Sequence, residues 1–229
     1  MSPDFLSDLP KLFTFYNILL WGEAALTTLL LSAVGCIIGM IVGFVLAIAR
    51  QSRRRALIPA RILSGLFVEI VRRVPFLITL MLFFFGAQVL GFDLAPLTIA
   101  LIATSVISTA FVSEIIRGGL ETLKPAQLEA AAVMNFTPLQ TLRLVSIPQA
   151  LPIVIPPIFG YFVLFIKDTA LASQVGVLEL TQAGKIMTTK GHSAFLVYAV
   201  VLALYFIVSY PLARLGGYLE NRLVLSRHS

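Results

Sequence analysis

The chain has 229 residues, of which 59% are apolar and only 12% charged, with a formal net charge of +6. So few charges cannot clothe a water-facing surface at that apolar content, which excludes an ordinary soluble domain and makes a bilayer the expected solvent. Uncharged runs of roughly 20 residues fit membrane-crossing helices, and the alternating segments of about 10 residues that mark a β-barrel are missing.

An all-α integral membrane protein is therefore expected, a single transmembrane domain over residues 1–229. Its five spans fall near residues 24–49, 74–92, 94–116, 144–168 and 193–214. The first has no basic region before it, is too long for a leader and lacks a small-residue cleavage pattern, so it is expected to stay in the chain. In it Gly35, Gly39 and Gly43 recur at every fourth position, the spacing that lets another helix approach closely, a partner chain's included. Cys36, the one cysteine, has neither a disulfide partner nor metal-binding neighbours and is expected to pack.

Arg50, Arg53, Arg54 and Arg55 follow this span without interleaved aromatics, which suits topology and lipid contact rather than nucleic acid. The next stretch, 56–73, is apolar but carries Arg61, Glu69, Arg72 and Arg73. It is either an interfacial helix or the start of a second span beginning near residue 57, with a kink or a helix start at Val74-Pro75. Counting it as a separate crossing would invert everything downstream, so one crossing is expected between Ala56 and Leu90.

With five alternating spans, one side of the membrane holds 13 Lys and Arg residues against 5 acids, and the other holds 4 against 6. Basic residues stay on the cytoplasmic side, so the N-terminus is expected outside and the C-terminus inside.

The cytoplasmic segment 123–148 reads LKPAQLEAAAVMNFTPLQTLRLVSIP. Pro125 suits a first helical turn, AQLEAAAVM is rich in helix formers, and Asn135 tolerates the left-handed conformation that stops a helix near Met134. Thr137, Pro138 and Gln140 then supply an N-cap, a first-turn proline and the third member of a capping box. Leu139, Leu142 and Val145 give the second helix an apolar stripe fit to dock on another protein. Helix caps alone leave a plain surface loop equally open.

The fourth span holds Pro148, Pro152, Pro156 and Pro157. The first three, four residues apart, share a helical face, where they would bend the helix and free carbonyls for a polar solute or simply make a packed kink. Beyond them, Lys167, Asp168 and Thr169 are candidates to meet the charged ends of a solute, or to pair and end the helix. Glu69, Arg72 and Glu114 are further candidates because ionisable groups in or beside spans tend to face the bundle interior; for Arg72 and Arg73, snorkelling is the competing role.

Glu129-Ala130-Ala131, Asn135, Val145, Ile147 and Pro148 fall on the spacing of the EAA motif, and the chain resembles the permease subunits of ABC importers. Asn135 stands where the motif has glycine, Val145 where it has isoleucine and Ile147 where it has leucine. VEIVRRVPFL at 68–77, SEIIRGGLETLKPAQLEAA at 113–131, KDTALAS at 167–173 and YPLARLGGYLENRL at 210–223 extend the resemblance to the polar amino acid branch.

The resemblance implies the five-helix type I importer fold, MetI-like, and transport of polar amino acids or related small solutes across the bacterial inner membrane. It makes the segment a coupling helix seated in an ATPase, with Glu129, Ala130, Ala131, Asn135, Pro138, Arg143 and Pro148 as its working residues. It also implies partners: a cytoplasmic ABC ATPase dimer using ATP and Mg, a homologous permease or second copy, and an extracytoplasmic solute-binding protein. No GxxxxGK[ST] loop occurs in the sequence, so no cofactor is expected in this chain and hydrolysis is expected elsewhere. The alternative is an ion-coupled secondary transporter, against which stand the short chain and the lack of an inverted repeat or a clear central carboxylate. HExxH and GxSxG are absent, and His192 and His228 lie outside the spans, so enzymatic activity is not expected.

Overall fold

The computed structural model describes residues 9–51 and 55–225 and is helical, with no strand among the described residues. Arg53, Arg54 and His228 lie outside them. One turn, α1 (Leu9–Leu12), precedes the long α2 (Phe15–Gln51), and a short turn at Arg55–Leu57 opens α3 (Ile58–Arg73). After α4 (Phe76–Val89) and α5 (Pro96–Glu121) come the short α6 (Pro125–Val133) and α7 (Pro138–Thr141). The chain closes with α8 (Ile147–Asp168), α9 (Leu180–Thr189) and α10 (Ala194–Leu225).

Among the described residues, four helical stretches are long and apolar enough to cross a membrane: Phe15–Gln51, Pro96–Glu121, Pro138–Val175 and Ala194–Arg222. The expected second span holds α4, an apolar helix of 14 residues. At about 1.5 Å per residue it is about 21 Å long, short of the roughly 30 Å hydrocarbon core. Residues 56–73 form a separate helix that stops at Val74-Pro75, since proline has no N–H to continue the ladder and disfavours helix in the residue before it. The first long helix begins at Phe15 rather than 24, because exposed Glu23 interrupts the uncharged run without interrupting the helix.

The chain forms two compact units. The first comprises Met1–Gly35, Val74–Ser105 and Val163–Pro211, the second Cys36–Arg73, Val106–Phe162 and Leu212–Ser229. In the first, Leu12, Trp21 and Ala24 pack with Leu180, Ala183 and Met187 of α9 and with Val197 and Val201 of α10. A second cluster joins Leu31, Leu80, Ala100 and Ala103 to Ala172, Val175 and Val177.

Between these clusters' elements lies a buried carboxylate that sequence reading did not single out. Glu179 caps α9, its oxygens accepting the backbone N–H groups of Thr181 at 2.9 Å and Gln182 at 2.7 Å. Tyr205 of α10 donates its hydroxyl to the same carboxylate at 2.5 Å, and the Leu180 N–H donates to Thr28 of α2. Burial pushes the Glu179 carboxyl above its ordinary range, and the three donors pull it back. A buried carboxylate is tolerable only with such donors, so this group fixes α9 against its neighbours.

In the second unit the glycine stripe of α2 packs on α5. A Cβ at Gly39 would lie 2.8 Å from the Ser108 Cβ and 2.9 Å from its carbonyl carbon, and one at Gly43 would lie 2.9 Å from the Ser113 nitrogen. Gly35, in the first unit, meets the Phe165 ring instead. The close approach that the spacing predicts is therefore made within this chain. Cys36 is buried, a packing residue as expected.

Gly39→Ala is expected to destabilise the protein by about 1–3 kcal/mol through overpacking. The control, Gly22→Ala, faces open space and should be neutral or stabilising in detergent thermal unfolding. Tyr205→Phe removes one charge-assisted hydrogen bond and should cost about 1.5–3 kcal/mol in the same measurement.

Candidate functional site

The segment 123–148 folds as its local grammar predicts. Lys124 precedes α6 with Pro125 in its first turn, and the helix stops with Met134 as its C-cap. Asn135 has φ 56, the only positive φ among described residues other than glycine, and here the backbone reverses. Thr137 then caps α7: its hydroxyl accepts the Gln140 N–H at 3.3 Å, while its own N–H donates to Gln140 Oε1 at 2.8 Å.

From α7 the helix passes through one wide turn, Leu142–Ser146, directly into α8. That widening has a local cause. Pro148 supplies no N–H and its ring would crowd the carbonyl four residues back, which a wider turn relieves. The result is one continuous helical stretch, Pro138–Val175, rooted in the segment. Pro152, Pro156 and Pro157 lie inside that helix without ending it.

Of the motif residues, Ala131 is buried, which anchors α6, whereas Glu129, Ala130, Asn135, Pro138, Arg143 and Pro148 are exposed. The bend also displays a bare apolar tip, with Val133 83%, Met134 66% and Leu139 73% exposed. Leu139 thus faces outward as the predicted stripe requires, but Leu142 and Val145 are half-buried. Val133 and Met134, unassigned by the motif, were legible only as helix formers.

A second constellation gathers around Glu114 in the same unit. Arg50 and Arg117 each reach its carboxylate at 2.7 Å, and Arg72 stands at 3.4 Å. Arg117 also pairs with Glu121. Three guanidinium groups against two carboxylates leave a net positive charge. Arg72 is the least committed: its one ion-pair contact is the longest of the set, and its guanidinium lies 5.6 Å above the Phe111 ring. Phe111 in turn stacks on Tyr161, with centroids 5.3 Å apart.

The candidate solute-path residues thus divide. Arg72 and Glu114 come together, joined by Arg50 and Arg117. Glu69 instead pairs with exposed Arg73 one turn away at 2.7 Å, a surface contact of small energetic value. Lys167, Asp168 and Thr169 belong to the first unit. Lys167 is exposed, and buried Thr169 spends its hydroxyl on the Ile166 carbonyl at 2.7 Å. Among the described residues no group of three or more His, Cys, Asp or Glu side chains could hold a metal ion.

Comparison with known proteins matches residues 35–224 to the family described as the binding-protein-dependent transport system inner membrane component. The chain is 29% identical over 209 residues to the probable glutamine ABC transporter permease GlnM of Bacillus subtilis, covering 91% of this chain and 95% of that one. It is 33% identical over 197 residues to the L-cystine transport system permease TcyB of the same organism, covering 86% and 83%. Among solved structures, an amino acid ABC transporter with histidines superposes with a TM-score of 0.84 at 28% identity, covering 97% of this chain and 100% of that one. An inward-facing methionine transporter, MetNI, shares the fold with a TM-score of 0.78 at 22% identity, over 92% and 99%.

Glu114→Ala leaves three arginines facing one another and should destabilise the protein by about 2–4 kcal/mol. Arg72→Ala, which loses one long ion-pair contact and the contact with the Phe111 ring, should cost about 1 kcal/mol. Thermal unfolding of both variants in detergent checks that order.

Proposed function

The chain belongs to the family of binding-protein-dependent transport system inner membrane components, and from that premise we propose how it works as the permease subunit of an amino-acid ABC importer. Glutamine and cystine permeases are among its relatives, which supports a polar amino acid as cargo. The observation that carries the mechanism is the coupling segment: a rigid bend, capped on both arms and tipped with exposed Val133, Met134 and Leu139, that runs straight into a membrane-length helix.

Such a tip is suited to a groove on a cytoplasmic ATPase dimer, with Glu129 and Arg143 available for polar contacts at its rim. ATP and Mg would bind that partner, and nucleotide-driven closure would act on this chain through the tip. Because α7 and α8 share one helical ladder, a push on the tip is carried along the helix rather than absorbed in a loop. Alternating access requires a two-state element whose equilibrium ATP biases, and this helix is the part through which the bias enters.

In this reading α4 completes a fifth crossing, the basic side is cytoplasmic, and the N-terminus lies outside. A second copy or homologous permease would complete the pathway, and an extracytoplasmic binding protein would deliver the solute. Arg72 is the candidate to meet a solute carboxylate, because it is partly exposed and held mainly by the Phe111 face. Glu114, already shared by three arginines, positions that group instead of binding an ammonium.

The test is uptake of labelled amino acids into proteoliposomes holding this chain with its co-purifying partners. Uptake is expected to require ATP, and Asn135→Val, which strains the backbone by about 1–2 kcal/mol, should lose most of it. Asn135→Gly, at ease with positive φ, should retain it. Uptake driven by an ion gradient and indifferent to both substitutions would overturn the reading.

A further inference from the structure

A groove of 380 Å³ opens in the second unit between the start of α6 and the first turns of α8. Small-molecule sites run from about 300 to 1,000 Å³, so this one suits a very small solute. On one side stands Lys124, with Gln127 beside it. Among the described residues no carboxylate pairs with the Lys124 ammonium.

The other side is made by Pro148, Gln149, Pro152 and Ile153. Because Pro152, Pro156 and Pro157 carry no N–H, the carbonyls of Pro148, Pro152 and Ile153 lose the donor that an α-helix would supply four residues on. Each of those three acceptors belongs to a residue that lines the groove. Lys124 offers only donors and the carbonyls only lone pairs, while the two primary amides offer both.

A cation on one wall and unmatched carbonyls on the other are complementary to a zwitterion. A simple anion would leave the carbonyls unpaired, and a metal cation would meet the lysine. We propose that this groove binds a free α-amino acid, its carboxylate on Lys124 and its ammonium on the carbonyls of the proline-rich turns. The importer reading supplies only the choice of ligand. Recognition is confined to the two charged ends, so the site takes amino acids with little regard for their side chains. Its walls are the start of the coupling segment's first helix and the first turns of α8, so a bound amino acid links the two ends of that segment.

The test is equilibrium binding of radiolabelled L-glutamine and L-alanine to the purified transporter complex, without its solute-binding protein, in nanodiscs free of aminophospholipid. Both ligands should bind with affinities within about tenfold of each other and on the order of millimolar. Lys124→Ala should remove one site per permease chain, or weaken it about tenfold, the loss of one charge-assisted contact. Lys124→Arg should keep that site.

N-acetylglutamine and glutamine methyl ester, each lacking one charge, should fail to compete for it. Equal competition by either derivative, or a site whose count and affinity are both unmoved by Lys124→Ala, would overturn the proposal. So would occupancy seen only when phosphatidylethanolamine is added, which would assign the groove to a lipid headgroup. The measurement needs neither ATP nor uptake, so its failure is separable from a failure of ATP-driven transport.

Discussion

Hydrocarbon offers no hydrogen-bond partners, and from that single constraint most of this molecule follows. Every backbone N–H and carbonyl in a span must be satisfied by the chain itself, so the spans are helices. Several side-chain hydroxyls turn to their own helices: Thr28 donates to the Ala24 carbonyl, Ser32 to Thr28 and Ser105 to Leu101. Helices that cannot gain much by apolar burial against lipid must gain by close contact. The glycine stripe of α2 on α5 brings the two backbones together where side chains would hold them apart.

The same constraint governs the charges. Two carboxylates are drawn in from the surface, Glu179 fully and Glu114 partly, and each is satisfied in a different way. Glu179 is neutralised by dipoles, accepting two helix-start N–H groups and a tyrosine hydroxyl, which suits a group whose task is to hold α9 in place. Glu114 is neutralised by charge, and with three arginines around it the surplus is positive. The first arrangement is closed, whereas the second leaves one guanidinium underused.

Proline-rich α8 is where the constraint is strained, and both proposed functions grow from it. One wide turn before the first proline lets the coupling segment continue as helix into a membrane-length stretch, which gives mechanical continuity. The later prolines withhold their N–H groups from carbonyls that remain available to a ligand. A sequence feature that would weaken a soluble helix thus supplies a rigid lever and a set of acceptors in one element.

What the sequence by itself determined is what depends on neighbours along the chain. The helical class follows from apolar run length, the left-handed stop at Asn135 from its short polar side chain, and the box at Thr137 and Gln140 from a three-residue spacing. The Glu114–Arg117 pair was equally legible, being one turn apart on a helix. Tertiary structure alone decided that Arg50 and Arg72 converge on Glu114, 64 and 42 positions away in the sequence. It also decided that Glu69 turns to the surface, that the glycine stripe meets α5, and that Glu179 meets Tyr205. The physical reason is that one charge, one glycine or one hydroxyl has the same local signature wherever it sits. Its partner is chosen by how helices pack, and packing depends on the shape of surfaces brought together from distant parts of the chain.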